Sequence, residues 1–167
     1  MAWFPVFSGS DAPDLASALG DMMLAWGKAE EEQVLLFAAI LQISGDKASR
    51  LYQKLPNFRS RTQALLTLID LHPEYAVTKA DVLKLSKLSK TRNGYVHGLF
   101  IKDQASSAIR LCDLDEPYTS KARMRTTKAN DVRTHADAVR QAASALSASK
   151  HGLQCYRDWK AALFLEL

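Results

Sequence analysis

The chain has 167 residues, 47% apolar and 24% charged, and carries a formal charge of +4. That length suits one domain with a real core, and that composition excludes a disordered, collagen-like or disulfide-dependent chain. The charge is only mildly basic but unevenly placed: residues 1–32 hold six acids against one Lys, while Lys84, Lys87, Lys90 and Arg92 follow one another with no acid between them.

In chain order, Trp3, Phe4, Val6 and Phe7 read as an N-terminal arm packed on the core, or as an exposed arm for a partner. Residues 1–7 lack a charged n-region and are broken by Pro5. They read as neither signal peptide nor membrane span, so the cytoplasm is the expected compartment. Ser8-Gly9-Ser10-Asp11 with Pro13 is a helix-start signal. The helix runs to about Ile43, with an apolar stripe at Leu15, Leu19, Met22, Trp26, Gln33, Phe37, Ile40 and Leu41. Steps of three and four through Trp26 land on Glu30, which places that acid of Glu30-Glu31-Glu32 on the apolar face. A slightly rotated helix would leave all three in water.

Gly45-Asp46 ends this helix and starts a short one through Lys54, broken by Pro56. A third helix spans 58–72, opened by Arg59 and Arg61 and stopped by Pro73, with His72 meeting the helix dipole. Thr78 and Asp81 form a capping-box-like start for a central helix that ends near Gly98. Residues 99–102 and 108–114 are short β-like runs about a turn at 103–107. Ala122, Met124 and Thr126 alternate with Lys121, Arg123 and Arg125, which gives a third strand with one basic face. Asn130-Asp131 then caps a last helix to about Leu165, bent at Gly152. Its stripe is Val132, Ala136, Val139, Ala143, Leu146, Leu153, Tyr156 and Leu163. His135 and His151 fall beside it as surface or edge residues, and Trp26 and Trp159 read as core. Cys112 and Cys155 have no partner at metal-ligand spacing and read as free thiols of a reducing cytosol. The expected fold is mainly α: a bundle of four to five helices in one domain, 1–167, with a β-hairpin or meander insertion at about 99–128.

The chemistry gathers at Lys90-Thr91-Arg92-Asn93-Gly94-Tyr95-Val96-His97-Gly98. The apolar stripe through Leu85, Leu88, Tyr95 and Leu99 puts Arg92 where a Leu is expected. A charge on a buried face is costly unless paired. Glu30 interrupts another stripe with the opposite sign, so an ion pair between Glu30 and Arg92 is the simplest reconciliation. Asn93 and His97, four apart, share a helix face beside Arg92. Arg-four residues-His is a weak spacing alone. Its weight comes from the Asn after the Arg, the Gly after the His and the helix-end position.

Arg92-Asn93-x-x-x-His97-Gly98, near the end of a central helix that follows upstream helices and precedes a long C-terminal one, resembles the HEPN domain family. The resemblance covers most of the chain in helical order, but only the short motif is specific. It implies a metal-independent endoribonuclease of toxin–antitoxin or phage-defence type, with Arg92, Asn93 and His97 as its site and RNA as substrate. No cofactor or metal is implied. A homodimer with facing motifs is implied, as is an antitoxin or other regulatory protein as partner. A subgroup regulated by nucleotidylation has Tyr two residues after the His; this chain has Leu99, so that control is not expected.

The residue types suit the reaction. Metal-free RNA cleavage needs a group to take the 2′-hydroxyl proton, one to protonate the leaving oxygen and a cation on the phosphate. Histidine is the side chain for proton transfer near neutral pH, and the Arg fork grips two phosphate oxygens. Asn93 can orient His97 or donate to phosphate, with Glu30 holding Arg92. Lys84, Lys87, Lys90, Arg59 and Arg61 are candidates for an RNA-binding rim, or simply solvated helix faces. The alternative function is a non-catalytic HEPN-like dimerisation module, or one that binds nucleotide or nucleic acid. In it, Arg92 and His97 stabilise a helix end.

Overall fold

The computed structural model describes residues 10, 12–102, 108–112 and 124–165, with the side chains of 164 and 165 not described. The aromatic arm at residues 3–7, most of the first helix-start signal, the turn at 103–107 and the Lys121–Arg123 part of the third strand lie outside them. Pro13–Leu41 forms α1, Gly45–Lys54 α2 and Phe58–Leu71 α3. A 3-10 helix at Pro73–Thr78 leads into α4, Lys79–His97. Three short strands follow, β1 at Leu99–Lys102, β2 at Ile109–Cys112 and β3 at Met124–Thr126. The chain closes with α5, Ala129–His151, and α6, Gln154–Leu165. The chain is thus mainly helical, with a small antiparallel sheet before its final helices.

Local chemistry explains the helix ends. Gln42 takes φ 54°, the left-handed conformation that stops a helix. The Ile43 N–H then donates back to the Ala38 carbonyl at 3.1 Å, and Gln42 Nε2 donates to the Ala39 carbonyl at 2.6 Å. Gly45 opens α2, which runs to Lys54 as expected. Asn57 caps α3, its Oδ1 accepting from the Ser60 N–H at 2.9 Å. Thr78 does not act as the acceptor of a capping box: its hydroxyl donates to the Tyr75 carbonyl at 2.7 Å. The expected single last helix is two. At Gly152 the α5 ladder ends, and Arg157 Nη1 donates to the carbonyls of both His151 and Gly152 at 3.0 Å.

Of the expected stripe of α1, Leu15, Met22, Trp26, Gln33, Phe37 and Ile40 are buried, and Ala18, Ala25, Ala29, Glu32, Leu36 and Ala39 are buried with them. Glu32, not Glu30, is therefore the acid on the inner face. The alanines let neighbouring elements approach closely, and Leu19 and Leu41 of the expected stripe are only half-buried.

The chain packs as two compact units. One takes residues 1–25 and 90–138, the other 26–89 and 139–167. In the first, β2 is the middle strand, antiparallel to both neighbours, with Phe100 opposite Leu111 and Leu111 opposite Arg125. These three share one face of the sheet. The end of α4 meets that face at Gly98. A Cβ on Gly98 would run into Leu111 Cδ1 and the Gly94 carbonyl, so only glycine lets β2 come this close.

In the second unit Trp26 packs on Phe58, ring centroids 4.8 Å apart, and Phe37 meets Tyr52 edge-on at 5.7 Å. Leu36, Leu65, Ile69, Tyr75, Val82, Leu85 and Leu146 are buried with them. The polar tips of buried aromatics find partners: Tyr75 donates to the Ala39 carbonyl at 3.2 Å and Trp159 to the Ile43 carbonyl at 3.0 Å.

Candidate functional site

Arg92 is half-buried, with its Nε buried. Its Nη1 donates to Asn93 Oδ1 at 3.0 Å. Asn93 and His97 are exposed, one turn apart on the outer ridge, and Lys90 is exposed one turn before. His97 is the last residue of α4. The structure thus brings Arg92 and Asn93 into contact and holds the imidazole of His97 in water on the same face as Asn93.

The side of α4 that carries Gly94, Tyr95 and Gly98 is packed. Tyr95 is buried, tilted against the buried His135 with centroids 5.8 Å apart. The Arg125 guanidinium lies over the Tyr95 ring, 5.1 Å from its centre. A Cβ on Gly94 would sit 3.4 Å from Arg125 Nη2, in contact with that guanidinium. Burial raises the Tyr95 hydroxyl pKa, with Arg125 pulling the other way. Burial lowers the His135 pKa, and the Arg125 charge lowers it further. His135, expected at the surface or edge, is in fact a core residue with its Nε2 buried. Its neutral ring packs where a cation would be unfavourable.

Glu30, expected opposite Arg92, accepts from Trp26 Nε1 at 3.1 Å and pairs with Arg61 at 3.6 Å. Arg61 also donates to the Leu55 carbonyl and lies over the Tyr52 ring. Glu30, Arg61, Tyr52, Ser49 and Gln53 line a cavity of about 640 Å³. Of the expected RNA rim, Arg61 is therefore engaged in the second unit. Arg59, Lys84 and Lys87 are exposed there, and Lys90 is exposed in the first unit beside the motif.

Sequence reasoning missed the most deeply buried charge. Lys150 is 0% exposed and forms an ion pair with Glu32, which Lys28 also meets at 3.1 Å. The Lys150 ammonium lies over the Tyr156 ring at 5.2 Å. Burial alone would raise the Glu32 carboxyl, but Lys150 and then Lys28 hold it below the usual carboxylate range. Burial draws Lys150 down against the pull of Glu32, and pushes the Tyr156 hydroxyl up to about 12. Glu32, Lys28, His151, Tyr156, Trp159 and Lys160 line a second cavity of about 580 Å³. The only signal for the pair was a Lys on the inner stripe of the last helix, at Leu146 plus four.

Comparison with protein-family models, with curated proteins and with solved structures finds no match. Among the described residues no helix is long and apolar enough to cross a membrane, and no three His, Cys, Asp or Glu side chains gather as metal ligands.

Proposed function

We propose that this chain is a metal-independent endoribonuclease of HEPN type, working in the cytoplasm as a homodimer and held in check by an antitoxin or other regulatory protein. The observation that carries the reading is the α4 end itself. An Arg hydrogen-bonded to Asn93 lies at the end of α4, where Asn93 and the solvent-facing His97 share one ridge. In the reaction, a base takes the proton of a ribose 2′-hydroxyl, whose oxygen attacks the adjacent phosphorus. The P–O5′ bond breaks, an acid protonates O5′, and the products are a 2′,3′-cyclic phosphate and a 5′-hydroxyl. His97 serves as acid or base and Arg92 neutralises the crowded phosphate, with Asn93 fixing the Arg92 fork. A single His97 cannot be both acid and base in one turnover, so a symmetric dimer supplies the second.

The test is cleavage of a mixed RNA pool in EDTA by wild type, Arg92→Ala and His97→Ala. Wild type alone should cleave and leave cyclic-phosphate ends, with each variant slowed at least about a hundredfold. Cleavage by all three, or by none, would sink the proposal. Salt-sensitive RNA binding without cleavage would favour a non-catalytic binding module.

A further inference from the structure

Arg125 belongs to a strand that the α4 motif does not contain, yet its guanidinium lies against that motif. At about 100° per residue, Asn93 and His97 lie roughly 100° and 140° round α4 from Arg92, and Gly94 and Tyr95 roughly 200° and 300°. Arg92, the Asn93–His97 ridge and the Gly94–Tyr95 side that carries Arg125 therefore follow one another round the end of α4. Two features build this placement. The register of β3 puts Arg125 opposite Leu111, on the sheet face that meets the end of α4. The ring of Tyr95 and the bare backbone of Gly94 then form a seat for the flat guanidinium. A guanidinium over a ring face is held there by the ring's quadrupole and carries several N–H donors besides. Arg125 is exposed, and among the described residues no carboxylate pairs with it. The nearby Asp131 is occupied in accepting from the Lys128 N–H at 3.0 Å, capping α5.

We propose that Arg125, seated on Tyr95 and Gly94, is a second phosphate-binding residue of the Arg92–His97 site. It rests on the ribonuclease reading and narrows its substrate. The two guanidiniums take different phosphates of one strand. Arg92 holds the phosphate that His97 acts on, and Arg125 holds another along the same strand. The ligand is therefore a single RNA strand with several phosphates rather than a mononucleotide, and β3 is the guide that lays it across the ridge.

The experiment measures binding of a short fluorescein-labelled 2′-O-methyl oligoribonucleotide, which has no 2′-hydroxyl to attack, over a range of salt. Wild type is compared with Arg125→Ala, Arg125→Lys and Arg92→Ala, each checked for an unchanged Tm. Arg125→Ala should weaken binding about tenfold and reduce the slope of log affinity against log salt by about 0.7, the value for one phosphate contact on a single strand. Arg125→Lys should restore the slope but only part of the affinity, because a Lys keeps the charge without the stacked plane. Competition by a nucleoside 3′-monophosphate should weaken in Arg92→Ala and stay unchanged in Arg125→Ala. Wild-type affinity and slope in Arg125→Ala, beside loss in Arg92→Ala, would overturn the role of Arg125 and leave the ribonuclease reading standing. Equal loss of oligonucleotide and monophosphate binding with a lowered Tm would make Arg125 a structural residue. Absence of salt-dependent binding by wild type would overturn both.

Discussion

A lysine with no exposed surface is the least favourable residue in this chain to bury, and only its partner makes it tolerable. Removing Lys150 and Glu32 from water carries a desolvation penalty of several kcal/mol per ion, offset by their mutual attraction and by the hydrogen bond between them. Breaking the pair from one side leaves the other charge stranded. Glu32→Gln should therefore lower unfolding stability by about 3–5 kcal/mol in urea titrations. The double change Glu32→Leu with Lys150→Met should recover much of that loss, because it removes both ions together. Acid sharpens the test. Glu32 is held below its ordinary value of 4.5, so its stabilisation is complete above about 4.5 and fades as pH falls through the lower folded value. The stability gap between wild type and Glu32→Gln should narrow on acidification below 4.5. A gap that stays constant would mean the carboxylate is not what holds Lys150.

At the scale of elements, the join between α4 and β2 rests on one atom's width. Gly98 N–H continues the α4 ladder to the Gly94 carbonyl at 3.0 Å while Leu111 and the Cys112 carbonyl press on its Cα. Two of the obstacles to a Cβ there are backbone oxygens, which cannot rotate away. Gly98→Ala should cost about 2–3 kcal/mol, the range for overpacking a closed site, read as a lower urea midpoint with the m value retained. Gly152→Ala, where the nearest atom is the Ser149 carbonyl at 3.3 Å, should be milder. These glycines also mark the border of what the sequence disclosed. Helix stops were legible where Pro set them, as at Pro56 and Pro73, whereas the Asn57 cap of α3 was not read. The hairpin runs were legible from their mixed β-branched composition. The face of α1 was legible from Leu15, Met22, Trp26, Gln33, Phe37 and Ile40, but its alanines, which carry little hydrophobic signal, were not. His135 was taken for an edge residue because a lone imidazole reads as polar, whereas beside Tyr95 and Arg125 it packs as a neutral ring. Asn93 and His97 were legible as neighbours, with Arg92 next to Asn93, because helical spacing alone determines which residues share a face. Arg125 was not, since its approach depends on strand register about thirty residues on. The Gly94–Gly98 spacing was the one local hint that something packs on that side.

For the whole molecule, the proposed chemistry asks for more than one chain supplies. Each chain brings one His97, whereas RNA cleavage needs a proton taken and a proton given in the same turnover. If facing motifs of a homodimer share that work, activity belongs to the pair, and mixing wild type with His97→Ala exposes this by counting. When subunits exchange freely at equal amounts, wild-type pairs make up about a quarter of all dimers, and hybrids have a single imidazole in the shared site. Cleavage per total protein should then fall to about a quarter of the wild-type rate, following the square of the wild-type fraction across a dilution series. A linear series, with about half the rate at equal mixing, would mean each chain cleaves alone and the shared site is wrong. Arg125→Ala mixed in the same way separates binding from chemistry. A hybrid that retains both imidazoles should cleave at saturating RNA, so its series should bend toward the square only when RNA is limiting. A square at saturating RNA as well would move Arg125 from strand binding into the step that breaks the bond.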